Sequence, residues 1–399
     1  MPVEFMLFGL TLLGVAVFHR HTLAVALLGL AAITSYKLLF GDFYGQPGLL
    51  GLWFHLGEEW VILANLFALL VGFALLSRHF EESHVPHLLP RYLPDDWRGG
   101  LVLLAVVFVL SAFLDNIAAA VIGATVAGAI YRQRLHLGFL AAIVAASNAG
   151  GAGSVVGDTT TTMMWLDGVS PLDVVHAYVA SVVAFFVFAI PAARAQQRFS
   201  PIEKQAAPGV HVDWARVIIV VLILVSAIAA NIHANRLPAE QAVAFPYIGA
   251  TVIGVILLVT PWRRPDWKVV PKAVGGSVFL LSLVLSASMM PVEQLPPASA
   301  VSTFGLGVVS SVFDNIPLTK LALEQGGYDW GALAFAVGFG GSMIWFGSSA
   351  GVAVSNLFPE AKSVGQWLRD GWYVAVGYVV GFAALMAILG WNPHAPHSG

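Results

Sequence analysis

The chain has 399 residues, of which 58% are apolar and only 10% are Asp, Glu, Lys or Arg, with a mean hydropathy of +0.82. Soluble domains carry roughly 25% charged residues, so this chain has too little polar sequence to cover its own surface and reads as a polytopic membrane protein. The net charge of -3 leaves no footprint for nucleic acid, and the absence of Cys excludes disulfides, thiolate metal sites and cysteine nucleophiles.

No basic stretch precedes the first apolar run, which therefore reads as a retained helix and not a cleaved signal. A crossing helix needs about 20 mostly apolar residues, and Lys and Arg mark the cytoplasmic loops. Runs at 5–18, 23–40 and 60–77 read as three crossings, separated by the basic turn His19-Arg20-His21 and by a loop, 41–59, that holds Asp42, Glu58 and Glu59. This puts the N-terminus outside. The loop 78–98, with Arg78, Arg91 and Arg98, is then cytoplasmic.

Two apolar arms, Leu101 to Phe113 and Ile117 to Ile130, flank Asp115-Asn116. Each arm reaches only about 21 Å of a roughly 30 Å hydrocarbon core, so the pair predicts a re-entrant hairpin over about 99–131 with the Asp-Asn at its tip. The segment 138–165 is long enough to cross, but Ser147-Asn148-Ala149-Gly150-Gly151-Ala152-Gly153 interrupts it. Glycine at that density predicts an unwound break lining a cavity. An external loop at 166–173, free of Lys and Arg, and a crossing at 174–192 complete the first half.

The second half repeats the plan. After the basic stretch 193–216, with Arg194, Arg198, Lys204 and Arg216, come crossings at 217–230, 242–260 and 273–290. A hairpin over about 299–325 carries Asp314-Asn315 at its tip. A broken helix at 331–356 holds Gly340-Gly341-Ser342 and Gly347-Ser348-Ser349, and a last crossing occupies 371–391. The expected fold is all-α, with two inverted-topology repeats, each of three crossings, a re-entrant hairpin, a broken helix and one further crossing. That makes about ten crossings and two hairpins. Residues 1–192 form the first repeat, 193–216 a cytoplasmic linker, 217–391 the second repeat and 392–399 a tail, with both termini outside.

Intramembrane carboxylates cost about 3 kcal/mol each at a helix centre and by default mark function. Asp115, Asp314 and Asp158 are the candidates here. Each is either a helix cap or, together with Asn116 and Asn315, a hard oxygen ligand for a small cation. Asn148, Thr159, Thr160, Ser342, Ser348 and Ser349 add amide and hydroxyl oxygens, and the Gly150-Gly151 and Gly340-Gly341 pairs free backbone carbonyls. Asp158 stands where the second half has Ser348, so the site is not symmetric, and Asp158 reads as a ligand, a proton relay or a cap. Lys320 is the only Lys or Arg within either pair of arms. It pairs with Asp314, acts as a tethered charge relay that substrate displaces, or snorkels to the interface. The twelve His lie mostly in loops, and H-E-x-x-H is absent. No cofactor is implied.

The segments Asn148-Ala149-Gly150-Gly151 with Gly157-Asp158-Thr159-Thr160-Thr161, and Asp314-Asn315-Ile316-Pro317-Leu318 with Gly340-Gly341-Ser342 and Gly347-Ser348-Ser349-Ala350-Gly351, resemble the NhaD-type sodium/proton antiporters. Those belong to the ion transporter superfamily, which also contains citrate, dicarboxylate and arsenite carriers. The resemblance implies a homodimer in the cell (inner) membrane, in which a scaffold holds a mobile transport part that moves like an elevator. Hairpin tips and broken helices would form the site. One departure is Ile117-Ala118-Ala119-Ala120 after the first Asn, where the family has hydroxyls, so the first half is expected to be poorer in hydroxyl ligands.

The expected function is therefore exchange of Na+ or Li+ for H+, with Na+ at Asp115, Asp314 and Asp158. Burial favours the protonated carboxylate and a bound cation favours the ionised one, so the two ligands compete. The alternative is a Na+- or H+-coupled carrier of an organic or inorganic anion, received by Asn116, Asn315 and the half-helix ends. An intramembrane aspartyl protease fits less well, because Val155-Val156-Gly157-Asp158 lacks the first Gly of Gly-x-Gly-Asp. A scaffold without transport does not explain duplicated tip carboxylates.

Overall fold

The computed structural model describes all residues except 1, 19–20, 44, 89–91, 204–210, 235, 238–240, 242–243 and 395–399. The basic turn at His19-Arg20, Arg91, Lys204 and most of the expected tail lie outside the described residues. The described chain is all-helical apart from a single bridge between Phe43 and Gln46.

The same succession of elements occurs twice. In the first half, α1 (Val3–Val17), α2 (Thr22–Phe40) and α3 (Gly48–Glu82) precede the hairpin α4 (Trp97–Ser111) and α5 (Asn116–Ile130). The broken helix α6 (Leu137–Gly151) and α7 (Thr159–Leu166) follows, and then α8 (Pro171–Val175) and α9 (Ala177–Phe199). In the second half, α10 (Trp214–Ala234), α11 (Tyr247–Val259) and α12 (Val270–Ser288) precede the hairpin α13 (Ala300–Ser310) and α14 (Asn315–Gln325). The broken helix α15 (Trp330–Gly340) and α16 (Ser349–Leu357) and the pair α17 (Val364–Asp370) and α18 (Trp372–Ile388) end the chain.

Both Asp-Asn tips fall where expected, but several boundaries differ. The loop at 41–59 is mostly helix: α3 runs unbroken for 35 residues and carries Glu58 and Glu59 inside it. Glu59 is tolerated there because a cation from another helix neutralises it. The crossing at 174–192 extends to Phe199 despite Pro191, so the expected linker starts inside α9. The break expected at Ser147–Gly153 holds for Ala152 and Gly153 but not for Ser147–Gly151. Those residues remain helical, and the break is at Ala152–Asp158. Tertiary packing overrides propensity at this point, because a Cβ on Gly150 would run into the Phe108 carbonyl of α4. Its counterpart Gly340 meets the Gly307 carbonyl of α13 in the same way, and Gly157 and Gly347 lie against Ser111 and Ser311 at the two tips. The glycine pairs thus seat each broken helix against the backbone of its own hairpin.

Five helices are long and apolar enough to cross a bilayer unbroken among the described residues: α2, α3, α8 with α9, α10 and α12 with its preceding turn. The pair α17–α18, bent by 62°, makes a sixth. The remaining expected crossings are short or interrupted, with α1 at 15 and α11 at 13 residues.

Helix packing falls mainly into two groups. One contains α1, α2, α3, α10, α11 and α12. The other contains both hairpins, both broken helices, α9 and α18. The seam between them is closed chiefly by α12 on α14 and by α3 on α7 and α5. Loops expected inside meet one another: Arg78 lies 3.2 Å from Asp266, Arg216 2.7 Å from Glu82 and Arg263 2.9 Å from Asp213. Loops expected outside do the same, through His394 with Asp173 at 3.3 Å and Asn392 N–H with Asp329 at 3.0 Å.

Because the Gly150 and Gly340 contacts are with backbone that cannot turn aside, Gly150→Ala and Gly340→Ala are each expected to lose about 1–3 kcal/mol of stability. Gly254→Ala, whose Cβ would meet open space, is expected to be neutral or slightly stabilising. Thermal unfolding of the three purified variants in detergent checks this.

Candidate functional site

Each hairpin tip is a turn of four residues that ends at an Asp in the N-cap position of the second arm. Asp115 accepts a hydrogen bond from Ile117 N–H at 3.2 Å, and Asp314 accepts one from Ile316 N–H at 3.1 Å. Asp is a favoured cap because its oxygen satisfies an orphan donor of the first turn. Both acids are therefore caps, and each keeps oxygens that the cap does not use. Ser349, the first residue of α16, donates its hydroxyl to Asp314 Oδ2 at 3.2 Å.

The two tips converge on Asp158. Asn116 Nδ2 donates to Asp158 Oδ1 at 3.1 Å, Asn315 Nδ2 donates to Oδ2 at 3.5 Å, and the Thr160 hydroxyl donates to Oδ2 at 2.6 Å. Both amides turn their nitrogens to Asp158, and their oxygens point away from it. Asn116 Nδ2 also donates to Asn148 Oδ1 at 3.1 Å. Asn148 passes the chain on, donating to Ser342 Oγ at 2.9 Å and Ser348 Oγ at 3.1 Å. Ser348 in turn accepts from Gly351 N–H at 3.2 Å as the cap of α16. One buried network thus joins both hairpin tips and both broken helices.

The rest of the Thr run has a local role. Thr161 and Thr162 donate to the carbonyls of Ser154 and Val155 at 2.5 and 3.0 Å, satisfying backbone that the break leaves unpaired. Thr159 lines a cavity. This cavity, of about 390 Å³, runs from Glu81 and Lys272 along α3 and α12 to a floor of Asp115, Asn116, Asp158, Asn315 and Ser349. Asp314 does not line it and is reached through Ser349. The four glycines of the pairs support the floor by close packing. Among the described residues no three His, Asp or Glu stand in the arrangement of a dedicated metal cage. The floor instead offers a few hard oxygens on separate elements.

Lys320 is elsewhere. It neither pairs with Asp314 nor snorkels, but is buried on α14 with its ammonium 3.0 Å from Glu59 and 2.6 Å from Glu324. Sequence reading missed this partner, because Glu59 precedes Lys320 by 261 positions and was placed in a loop.

Comparison with known proteins agrees with this architecture. The family model of the citrate transporters matches residues 5–390, nearly the whole chain. The chain belongs to the citrate transporter family. Sodium/proton antiporter 1 of Arabidopsis thaliana is 27% identical over 321 residues, covering 71% of this chain and 54% of that protein, so the chain spans about half the length of that relative. The Na+/H+ antiporter NhaD of Vibrio parahaemolyticus is 26% identical over 329 residues, 68% of this chain and 76% of its own length. The NhaD of Alkalimonas amylolytica is 27% identical over 291 residues, 60% and 59% of the two chains. The family and the apolar helices make this chain a multi-pass membrane protein of the ion transporter superfamily.

Asp158→Asn replaces an acceptor with a donor facing two amide donors, and buried unpaired donors cost about 1–3 kcal/mol each. Ser342→Ala removes one of two acceptors of Asn148 and is expected to lose only about 0.5–1.5 kcal/mol. Denaturation of both variants in detergent, with Asp158→Asn the less stable, checks the order.

Proposed function

We propose that the chain exchanges Na+ or Li+ for H+ across a cell (inner) membrane, with cation and protons competing for the carboxylates at the hairpin tips. The observation that supports this most is the cavity floor. Two acids, two amides and the hydroxyls of Thr159 and Ser349 gather there, while the basic lining residue Lys272 stands with Glu81 at the other end. The amide oxygens turned away from Asp158 are the neutral ligands in this reading, and Asp115 is the charged one. The antiporter names of the relatives support the same choice of ions.

A bare carboxylate at membrane depth costs about 3 kcal/mol on insertion scales, so an empty site with Asp115, Asp158 and Asp314 all charged would cost on the order of 9 kcal/mol to move. Na+ or protons remove most of that cost. Either ligand therefore lets the site cross and an empty site stays, which is the condition for exchange. In this reading the halves are inverted repeats, both termini are outside, and the hairpin group moves as an elevator against the group of α1–α3 and α10–α12. The chain acts as a homodimer joined through that scaffold. The packing seam supports the division into two groups, and the grouping of loop ion pairs supports the sidedness of the loops.

A second reading, cation-coupled uptake of a carboxylate anion, is favoured by the family's description and by the N-termini of α5 and α14 at the floor. The floor acids oppose a multiply charged anion until cations neutralise them.

Proteoliposome flux separates the two. Na+ and Li+, but not K+ or citrate, are expected to drive proton flux, and Asp115→Asn and Asp314→Asn are each expected to lower it at least about ten-fold. Citrate uptake without sodium-driven proton flux would select the anion reading, and full flux in both variants would sink the carboxylate mechanism.

A further inference from the structure

The cavity opens at one end of the seam, and a buried ion cluster closes the other. Along α3 the cavity is lined from Leu66 to Glu81, and along α12 and its preceding turn from Val269 to Leu280. Beyond it, at the opposite ends of the same two helices, lie Glu59 on α3 and Ser288 on α12. Lys320 reaches across the seam from α14 to Glu59 Oε1 at 3.0 Å and is 2.6 Å from Glu324 Oε1, one turn further along its own helix. Lys320 is 3% and Glu59 6% exposed. Glu59 Oε2 is buried with no hydrogen-bond partner. The cluster therefore holds two carboxylates, one ammonium and an unmatched carboxylate oxygen.

The other charged or titratable groups that face it are few. His55, one turn earlier on α3, is 3.0 Å from Ser288 Oγ. Lys37 of α2 donates to the Met289 carbonyl at 3.0 Å. Asp167, at the end of α7, is within electrostatic reach of Lys320. Among the described residues, Lys320 is the cation that pairs with Glu59.

From this geometry we propose that Glu59 is a proton-binding site, separate from the hairpin tips, that latches the seam. The inference rests on the elevator reading given above. Lys320 and Glu324 sit at i and i+4 on one helix, so they travel together as a neutral pair. Glu59 stays on α3. When the hairpin leaves, the Glu59 carboxylate is a buried charge without a counter-charge, the arrangement least tolerated in a low-dielectric interior. It gains a proton from the water on its own side, going from carboxylate to carboxylic acid, while Lys320 keeps its charge. When Lys320 returns, the same proton leaves. Protons thus act twice, once by competing at the tips and once by releasing the latch.

Glu59→Gln tests this, because Gln is the uncharged shape of the protonated acid and leaves Lys320 paired with Glu324. In proteoliposomes at saturating Na+, where competition at the tips is suppressed, wild-type turnover is expected to fall by up to about ten-fold per pH unit as the Glu59 side is made alkaline, the limit for one required proton. Glu59→Gln is expected to lose that dependence while 22Na+ binding in detergent stays within about two-fold, and Glu59→Asp is expected to restore it. Hydrogen exchange of 315–325 reads the latch without any transported ion. Protection of α14 should fall at acid pH in wild type and be low at all pH in Glu59→Gln. A pH profile in Glu59→Gln that superimposes on wild type overturns the proposal, as does loss of 22Na+ binding, which would put Glu59 in the ion site. If neither protein binds or carries Na+ but the exchange difference remains, the antiport reading fails and the latch stands.

Discussion

One buried carboxyl group that accepts hydrogen bonds from three side chains organises the site. Asp158 is 3% exposed and draws amide nitrogens from both hairpin tips and a hydroxyl from its own helix. Its oxygens accept from both amides, so Asn116 and Asn315 face it with their nitrogens. The same contacts tie the first hairpin, the second hairpin and α7 into one unit. Asn148 extends the tie to Ser342 and Ser348, so a disturbance at any one of these groups leaves a buried donor or acceptor without a partner.

The two halves share this plan but have divided its tasks. Gly150 and Gly340, and Gly157 and Gly347, make the same close approaches in each half. Two positions differ in a compensating way. Asp158 stands opposite Ser348, and Asn148 stands opposite Gly338. A Cβ at Gly338 would come within 3.2 Å of Asp158 Oδ2, so a side chain the size of Asn there would crowd the acid. Asn148, by contrast, meets the smaller Ser348 and donates to it. The first half supplies Asp115 and Asp158 to the cavity floor and the second makes room for Asp158 at Gly338, while Asp314 lies behind Ser349.

Much of this was legible in the sequence because it is written in local signals. An Asp-Asn pair between apolar arms too short to cross predicts a tip, and the structure places a helix cap at each. Glycine pairs next to Asn148 and Ser342 predict a broken helix, and both helices are broken. The position of the break was misread because glycine propensity was taken as the cause of unwinding, whereas Gly150 and Gly151 serve close packing and stay helical. The start of α3 was misread for a related reason. Glu58 and Glu59 look like loop residues until Lys320, far away in sequence, is known to neutralise one of them. Propensity and loop charge carry no information about a partner that only the fold brings near.

The length of α3 connects these points. Its 35 residues extend about 52 Å at 1.5 Å per residue, well beyond the roughly 30 Å of a hydrocarbon core. It runs without a break past the whole seam. A helix interrupted at Glu59 would let the two ends of the seam adjust separately. A continuous helix fixes the spacing between the ion cluster at Glu59 and the cavity wall from Leu66 to Glu81, so the hairpin group meets one rigid surface at both ends. The hairpin group therefore packs against one continuous helix, with an ion pair at one end and open space at the other. The buried charge in α3 and the helix's uninterrupted length are two parts of the same constraint.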